Sequence, residues 1–193
     1  MYPPLNLFSD MINLGDWMNY IDIIEQRQQK KRKILVEQTD VLLEPLKTAL
    51  EQASHKVQVL FAFRCVESLK EVLDDFHTDH GLLKRALENG RRWARGEIKM
   101  TLVRPDILAI HQLAKETTSP ILTAYLHAYA QGLSVIHTPK HALGLPIYEL
   151  TGLILQQPNN LSLLEEKVRT YLHLLNEAKA QPFTGTWAKF IQG

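Results

Sequence analysis

The chain carries one cysteine, Cys65, in 193 residues, which excludes an internal disulfide and any zinc cluster built on cysteines. It also lacks a dominant charge. Basic residues number 22 against 21 acidic ones, for a formal net charge of +1, so no electrostatic footprint marks a nucleic-acid partner or an anionic membrane surface. No segment alternates apolar and polar residues as a half-buried strand does, and no Gly-rich phosphate loop, low-complexity linker or obvious repeat occurs. Met1–Asp10 has no basic segment leading into an apolar run, which argues against a secretory signal and for the cytoplasm.

What remains is ordinary globular composition, 45% hydrophobic and 22% charged, patterned almost throughout at helical spacing. Trp17, Ile21 and Ile24 share one face. Leu35, Leu42, Leu46 and Leu50 follow, with Pro45 expected to break or kink that segment. Val57, Leu60, Phe61, Cys65, Leu69, Val72 and Phe76 stripe a helix from His55 to Phe76, where Cys65 reads as a small core residue. Thr78 or Asp79 suits the cap of the next helix. Its apolar face runs through Leu82, Leu83, Ala86, Leu87, Gly90, Trp93 and Ala94, and Gly96 suits a left-handed stop. Gly90 on that face reads either as a close helix crossing or as a weak spot.

Arg104-Pro105, Ser119-Pro120 and Thr138-Pro139 each read as a cap followed by a first-turn proline. Ser162 and Glu165 have capping-box spacing ahead of a stripe of Leu164, Val168, Tyr171, Leu172 and Leu175. Phe183, Trp187 and Phe190 suggest a tail that docks on the bundle. These features predict an all-α fold, a single-domain bundle or stacked hairpins of about seven to eight helices. Within it, residues 1–54 form an N-terminal helical extension, 55–157 the core, and 158–193 a last helix and docking tail.

The segment from Thr117 to Pro139 has no formal charge. It is long enough to suggest a membrane span, but Thr123, His127, Gln131, Ser134 and His137 favour the central helix of a bundle. Thr123, His127, Gln131 and Ser134 share a narrow strip, which reads either as a buried hydrogen-bonded network or as the polar lining of a cleft. His111 lies on an apolar helix face, while His137 and His141 bracket Thr138-Pro139. His127, His137 and His141 are candidate metal ligands, although no HExxH pattern supports a zinc site and hydrogen bonding between helices is the simpler reading. Arg64, at the edge of its stripe, needs a carboxylate or several carbonyls if it is buried, and Glu67, Glu88 and Glu97 are available. The Lys30–Lys33 run reads as a solvated face, and the bases around Trp93 suit a helix C-terminus.

Together, Cys65-Val66-Glu67, Arg92-Trp93-Ala94-Arg95-Gly96-Glu97, His111, His127-Ala128, His137, Pro139, His141-Ala142 and Gly144 resemble, in order and spacing, the immunity-five-like family. That family is linked by gene neighbourhood to bacterial polymorphic toxin systems. The resemblance covers about residues 63–150, with Met1–Ser54 and Pro158–Gly193 outside it. It departs at Arg64, where the family has an acid, and at Leu126, where it has glycine.

The resemblance implies a helical protein that binds and neutralises a cognate toxin, with no established catalytic residues to carry over, and the reading built on it is a non-enzymatic binding module without a cofactor. Its candidate binding residues are Arg92, Trp93, Arg95, Glu97, His111, His127, His137 and His141. Two alternatives stand beside it. One is a small-molecule or metal-binding protein, conceivably an enzyme, with a histidine-lined cleft. The other is a module that forms homo-oligomers through its N-terminal helices.

Overall fold

The structure is a computed structural model that describes residues 14–76, 80–158, 160, 162–181 and 185–192. Helix makes up 78% of it, with no strand among the described residues, so the chain is all-α. The helices are α1 (Leu14–Gln29), α2 (Glu44–Glu51), α3 (His55–Asp74), α4 (His80–Ala94), α5 (Met100–Glu116), α6 (Pro120–Ser134), α7 (His141–Gln156), α8 (Ser162–Ala180) and the short α9 (Lys189–Gln192), with a 3-10 turn at Val41–Leu43 before α2. Buried apolar residues from α1 through α9 join one core.

The helix without formal charge becomes α6, which packs along α5 and α7 and crosses α3. That placement explains why Ala124, Tyr125, Leu126, Ala128, Tyr129, Ala130 and Leu133 are all buried: neighbours on three sides leave little need for a charged face. No helix among the described residues is long and apolar enough to cross a membrane. α3 packs against α8 as well as α6. Its buried arc is therefore wider than one stripe and takes in Val59, Ala62, Phe63, Val66 and Leu73 beside Phe61, Cys65 and Leu69.

Gly90 and Gly144 both stand at helix contacts, Gly144 at the closer one. A Cβ on Gly90 would stand 3.2 Å from Leu133 and 3.3 Å from Ile136, and one on Gly144 would stand 2.8 Å from Gln131 Oε1. Gly96 has φ +78° and ends α4 in a Schellman motif. Glu97 N–H donates to Arg92 C=O at 2.9 Å and Gly96 N–H to Trp93 C=O at 2.8 Å, satisfying carbonyls that the helix end leaves unpaired.

Several helix boundaries differ from the proline-based expectation. Ser119 caps α6 as expected, its side chain accepting from Leu122 N–H at 3.3 Å with Pro120 in the first turn. Pro105, however, lies inside α5, which starts at Met100. The earlier start buries Val103 completely, and the carbonyl of Thr101, four residues before the proline, belongs to an exposed residue that water can satisfy. Thr138-Pro139 forms a turn instead of a cap. Thr138 C=O accepts from His141 N–H at 3.0 Å, and α7 begins only at His141.

Pro45 does not break a helix but sits in the first turn of α2, where its missing N–H has no cost. Leu35 lies in the irregular connection before it. Ser162 is helical and donates to Asn160 Oδ1 at 2.7 Å, while Glu165 pairs with Arg169 at 3.7 Å, so the capping box is not formed. Thr78, Asp79, Phe183 and Met1–Asp10 fall outside the described residues. The tail docks through buried Trp187, Ala188 and Ile191, but Phe190 stays 50% exposed.

Candidate functional site

The polar strip of α6 faces the furrow between α5 and α7, and each of its members has a partner. Thr123 Oγ1 lies 3.1 Å from Ala114 C=O and 3.0 Å from Ser119 C=O, and Ser134 Oγ donates to Ala130 C=O at 2.9 Å. His127 Nδ1 lies 2.9 Å from His111 Nδ1, and Gln131 Oε1 accepts from His141 Nδ1. The strip is thus hydrogen-bonded throughout, and its half-buried members Thr123 and His127 also line a hollow, so both features expected of it are present. Gly144 makes the last contact possible, since a side chain there would occupy the space of the Gln131 amide.

The two Nδ1 atoms of the His111–His127 pair face each other, so one ring donates and the other accepts. In the neutral pair, one imidazole carries its proton on Nδ1 and the other on Nε2. Two imidazolium rings would bring two N–H groups together. Burial holds His111 below the ordinary histidine value, with the neighbouring His127 and Lys115 adding to the effect. His127 is lowered by burial and then by Lys115. His137 is lowered by burial, then Arg104 and His55, and His141 by burial, then His137 and His111.

The four histidines thus gather along α5, α6 and the start of α7 as two pairs. Ring centroids are 5.1 Å apart for His111 and His127 and 5.6 Å for His137 and His141. They lie at the margin of the bundle, where His137 is exposed. From the Arg92–Glu97 stretch only Trp93 reaches them, stacking on His137 at 5.8 Å. Arg92 and Arg95 turn instead onto Glu97, at 3.5 and 2.8 Å.

The candidate ligands His127, His137 and His141 do not meet as a metal-binding set. Among the described residues no group of three or more His, Cys, Asp or Glu side chains is placed to hold a metal ion. Two hollows open beside the strip. One, of about 310 Å³, is lined by Trp93, Met100, Ile107, Leu108, His111 and His137, among others. The second, of about 530 Å³, includes Lys33, Lys115, Thr123, His127 and Tyr148.

The family described as Imm-5 like putative immunity protein matches residues 48–177. The chain belongs to this family. The match reaches beyond residues 63–150 at both ends, so the second half of α2 and most of α8 fall inside the family region instead of flanking it. No curated protein and no solved structure gives a match.

Arg64 pairs with Glu177 of α8 at 2.7 Å. None of the three carboxylates available from the sequence is its partner, and Glu67 instead pairs with Arg91. Cys65 is buried, and desolvation pushes its thiol well up, which suits a core residue and not a nucleophile.

Two buried ionic networks were not anticipated. Glu149 of α7, 3% exposed, accepts from Tyr171 Oη at 2.8 Å and pairs with Lys167 Nζ at 2.5 Å. It is the only formally charged residue in α7, and a lone acid in an apolar helix is the signal that could have marked it. Near the N-terminus, Arg27 forms a two-pronged pair with Asp40 at 2.6 and 2.8 Å and also donates to Leu35 C=O at 2.8 Å. Leu35 N–H donates to Thr151 Oγ1 at 3.1 Å, which ties the connection after α1 onto α7 beside the larger hollow.

Proposed function

We propose that the chain neutralises a bacterial protein toxin in the cytoplasm by binding it, without catalysing a reaction. Family membership supports this reading, and the observation that carries it to a surface is the outer face of α5. Leu102 and Leu108 are 60 and 53% exposed, with Pro105 and Ala109 exposed on the same arc of the helix, and Met100, 41% exposed, stands with Leu108 at the smaller hollow.

Phe190 adds a half-exposed ring 5.8 Å from Trp93. Single exposed apolar side chains are ordinary, but several on one arc of a helix, with exposed Thr101 and Gln112 among them, suit a partner surface of mixed apolar and polar character. The hollow of about 310 Å³ beside it is shaped to receive an apolar anchor side chain from that partner. His111 bonds to His127 and Gln131 to His141, so these two pairs act as the frame of this surface.

The test is to express the products of the genes that flank this chain's gene, identify a toxic one, and co-express it with the chain. Cells should survive with the chain and die without it, and purified toxin should lose activity in a one-to-one complex. Survival that needs turnover of the toxin or of its substrate by this chain would overturn the binding-only reading.

A further inference from the structure

We propose that the larger hollow, between the Lys33–Ile34 segment, the end of α5, the start of α6 and Tyr148 of α7, is a binding site for an oxyanion, the carboxylate or phosphate group of a ligand. Its lining holds two cations, Lys33 and Lys115, and no acid. Neither lysine makes an ion pair among the described residues. The nearest carboxylate in sequence, Glu116, is engaged by Gln112 at 2.8 Å on the exposed side of α5.

The uncompensated charge is felt inside the site, since Lys115 contributes to holding both His111 and His127 below the ordinary histidine value. The C-terminal carbonyls of α5 and the N-terminal amides of α6 meet here with opposite dipole signs, so the lysines decide the sign of the field.

Donors are available where an anion would sit. His127 uses Nδ1 on His111, and its Nε2 has no partner among the described residues, nor has the Tyr148 hydroxyl. Thr118 at the rim adds another hydroxyl. Thr123 donates to backbone carbonyls and offers an anion nothing.

The frame is fixed on three sides. Leu35 is tied to Arg27 and Thr151, and Thr123 ties α6 to the last turn of α5. A volume of about 530 Å³ falls within the range of small-molecule sites. It leaves space for an organic body along Ile34, Ala114 and Ala124. The groups around the histidine pair are Lys115 and Arg104 from α5, Tyr148 and His141 from α7, His137 and Lys33, none of them an acid. A bound anion therefore raises the proton affinity of the pair.

The site is read on the chain alone, independently of any toxin. Imidazole carbon–proton NMR signals are followed while inorganic phosphate or succinate is added, with chloride at matched ionic strength as the control. His127 and His111 should shift saturably, with a Kd of about a millimolar or tighter, while exposed His173 should not. Lys115→Ala should weaken binding about tenfold, the loss of one charge-assisted contact, and Lys84→Ala should leave it unchanged.

Unsaturable shifts that chloride reproduces, or wild-type affinity in a folded Lys115→Ala chain, would overturn the proposal. Once a toxin complex is in hand, phosphate that weakens it places a toxin carboxylate in the hollow. Phosphate that binds without affecting the complex identifies a free small anion as the occupant.

Discussion

Replacing Gly132 by alanine puts one methyl group where three helices meet. The new Cβ would press on Val66 Cγ2 of α3 and stand 2.6 Å from Leu145 Cδ1 of α7. Both neighbours are fully buried, so neither can swing into solvent. Alanine gains about 1 kcal/mol over glycine in helix propensity, whereas overpacking a core costs about 1–3 kcal/mol. Two close core contacts place this site in the upper part of that range, for a net loss of about 1–2 kcal/mol.

Gly90→Ala is the control, because its Cβ would meet Leu133 at 3.2 Å, Ile136 at 3.3 Å and Phe63 at 3.7 Å. Shifts of a few tenths of an ångström relieve those contacts. Propensity and crowding then nearly cancel, leaving stability within about 0.5 kcal/mol of wild type. Urea unfolding with linear extrapolation measures both variants. The packing argument fails if Gly132→Ala is as stable as wild type, or if Gly90→Ala is the more damaged of the two.

Other outcomes follow from the same contacts. Lys167→Met leaves Glu149 buried without its cation and should cost about 2–4 kcal/mol, while Glu149→Leu combined with Lys167→Met should recover part of that loss; equal denaturant midpoints for wild type and Lys167→Met would contradict it. Acid should destabilise the fold through the histidines. His111, His127, His137 and His141 lie below 6.5 when folded, so near that pH the unfolded chain binds more protons, and stability present above 6.5 is lost as pH falls through it toward the folded values. Melting temperature should drop between about pH 7.5 and 5.5, and less so in the His111→Gln/His127→Gln chain; an unchanged slope in that chain would remove the pair from the explanation.

Helix identity was legible because it depends on periodicity. The α4 face from Leu82 to Ala94 is buried as a set, and Gly96 stops the helix where its left-handed backbone allows it. Start positions were harder to read. A proline is compatible with a first turn but does not compel one, and burying Val103 extends α5 backwards past Pro105.

In the site, the α6 strip was readable from spacing within one helix. Partners that depend on how helices pack were not. Arg64 meets Glu177, 113 residues away, and Lys33 meets the rim of a hollow with Lys115 through tertiary ties at Leu35 that no local pattern announces.

The binding face of α5 is the central claim, and calorimetry of the purified toxin against wild type and a Leu102→Glu/Leu108→Glu chain tests it most directly. Both leucines are more than half exposed, so the variant should melt like wild type. A buried charge at a partner surface should raise its Kd by about a hundredfold or more. Wild-type affinity in that folded variant would contradict the account.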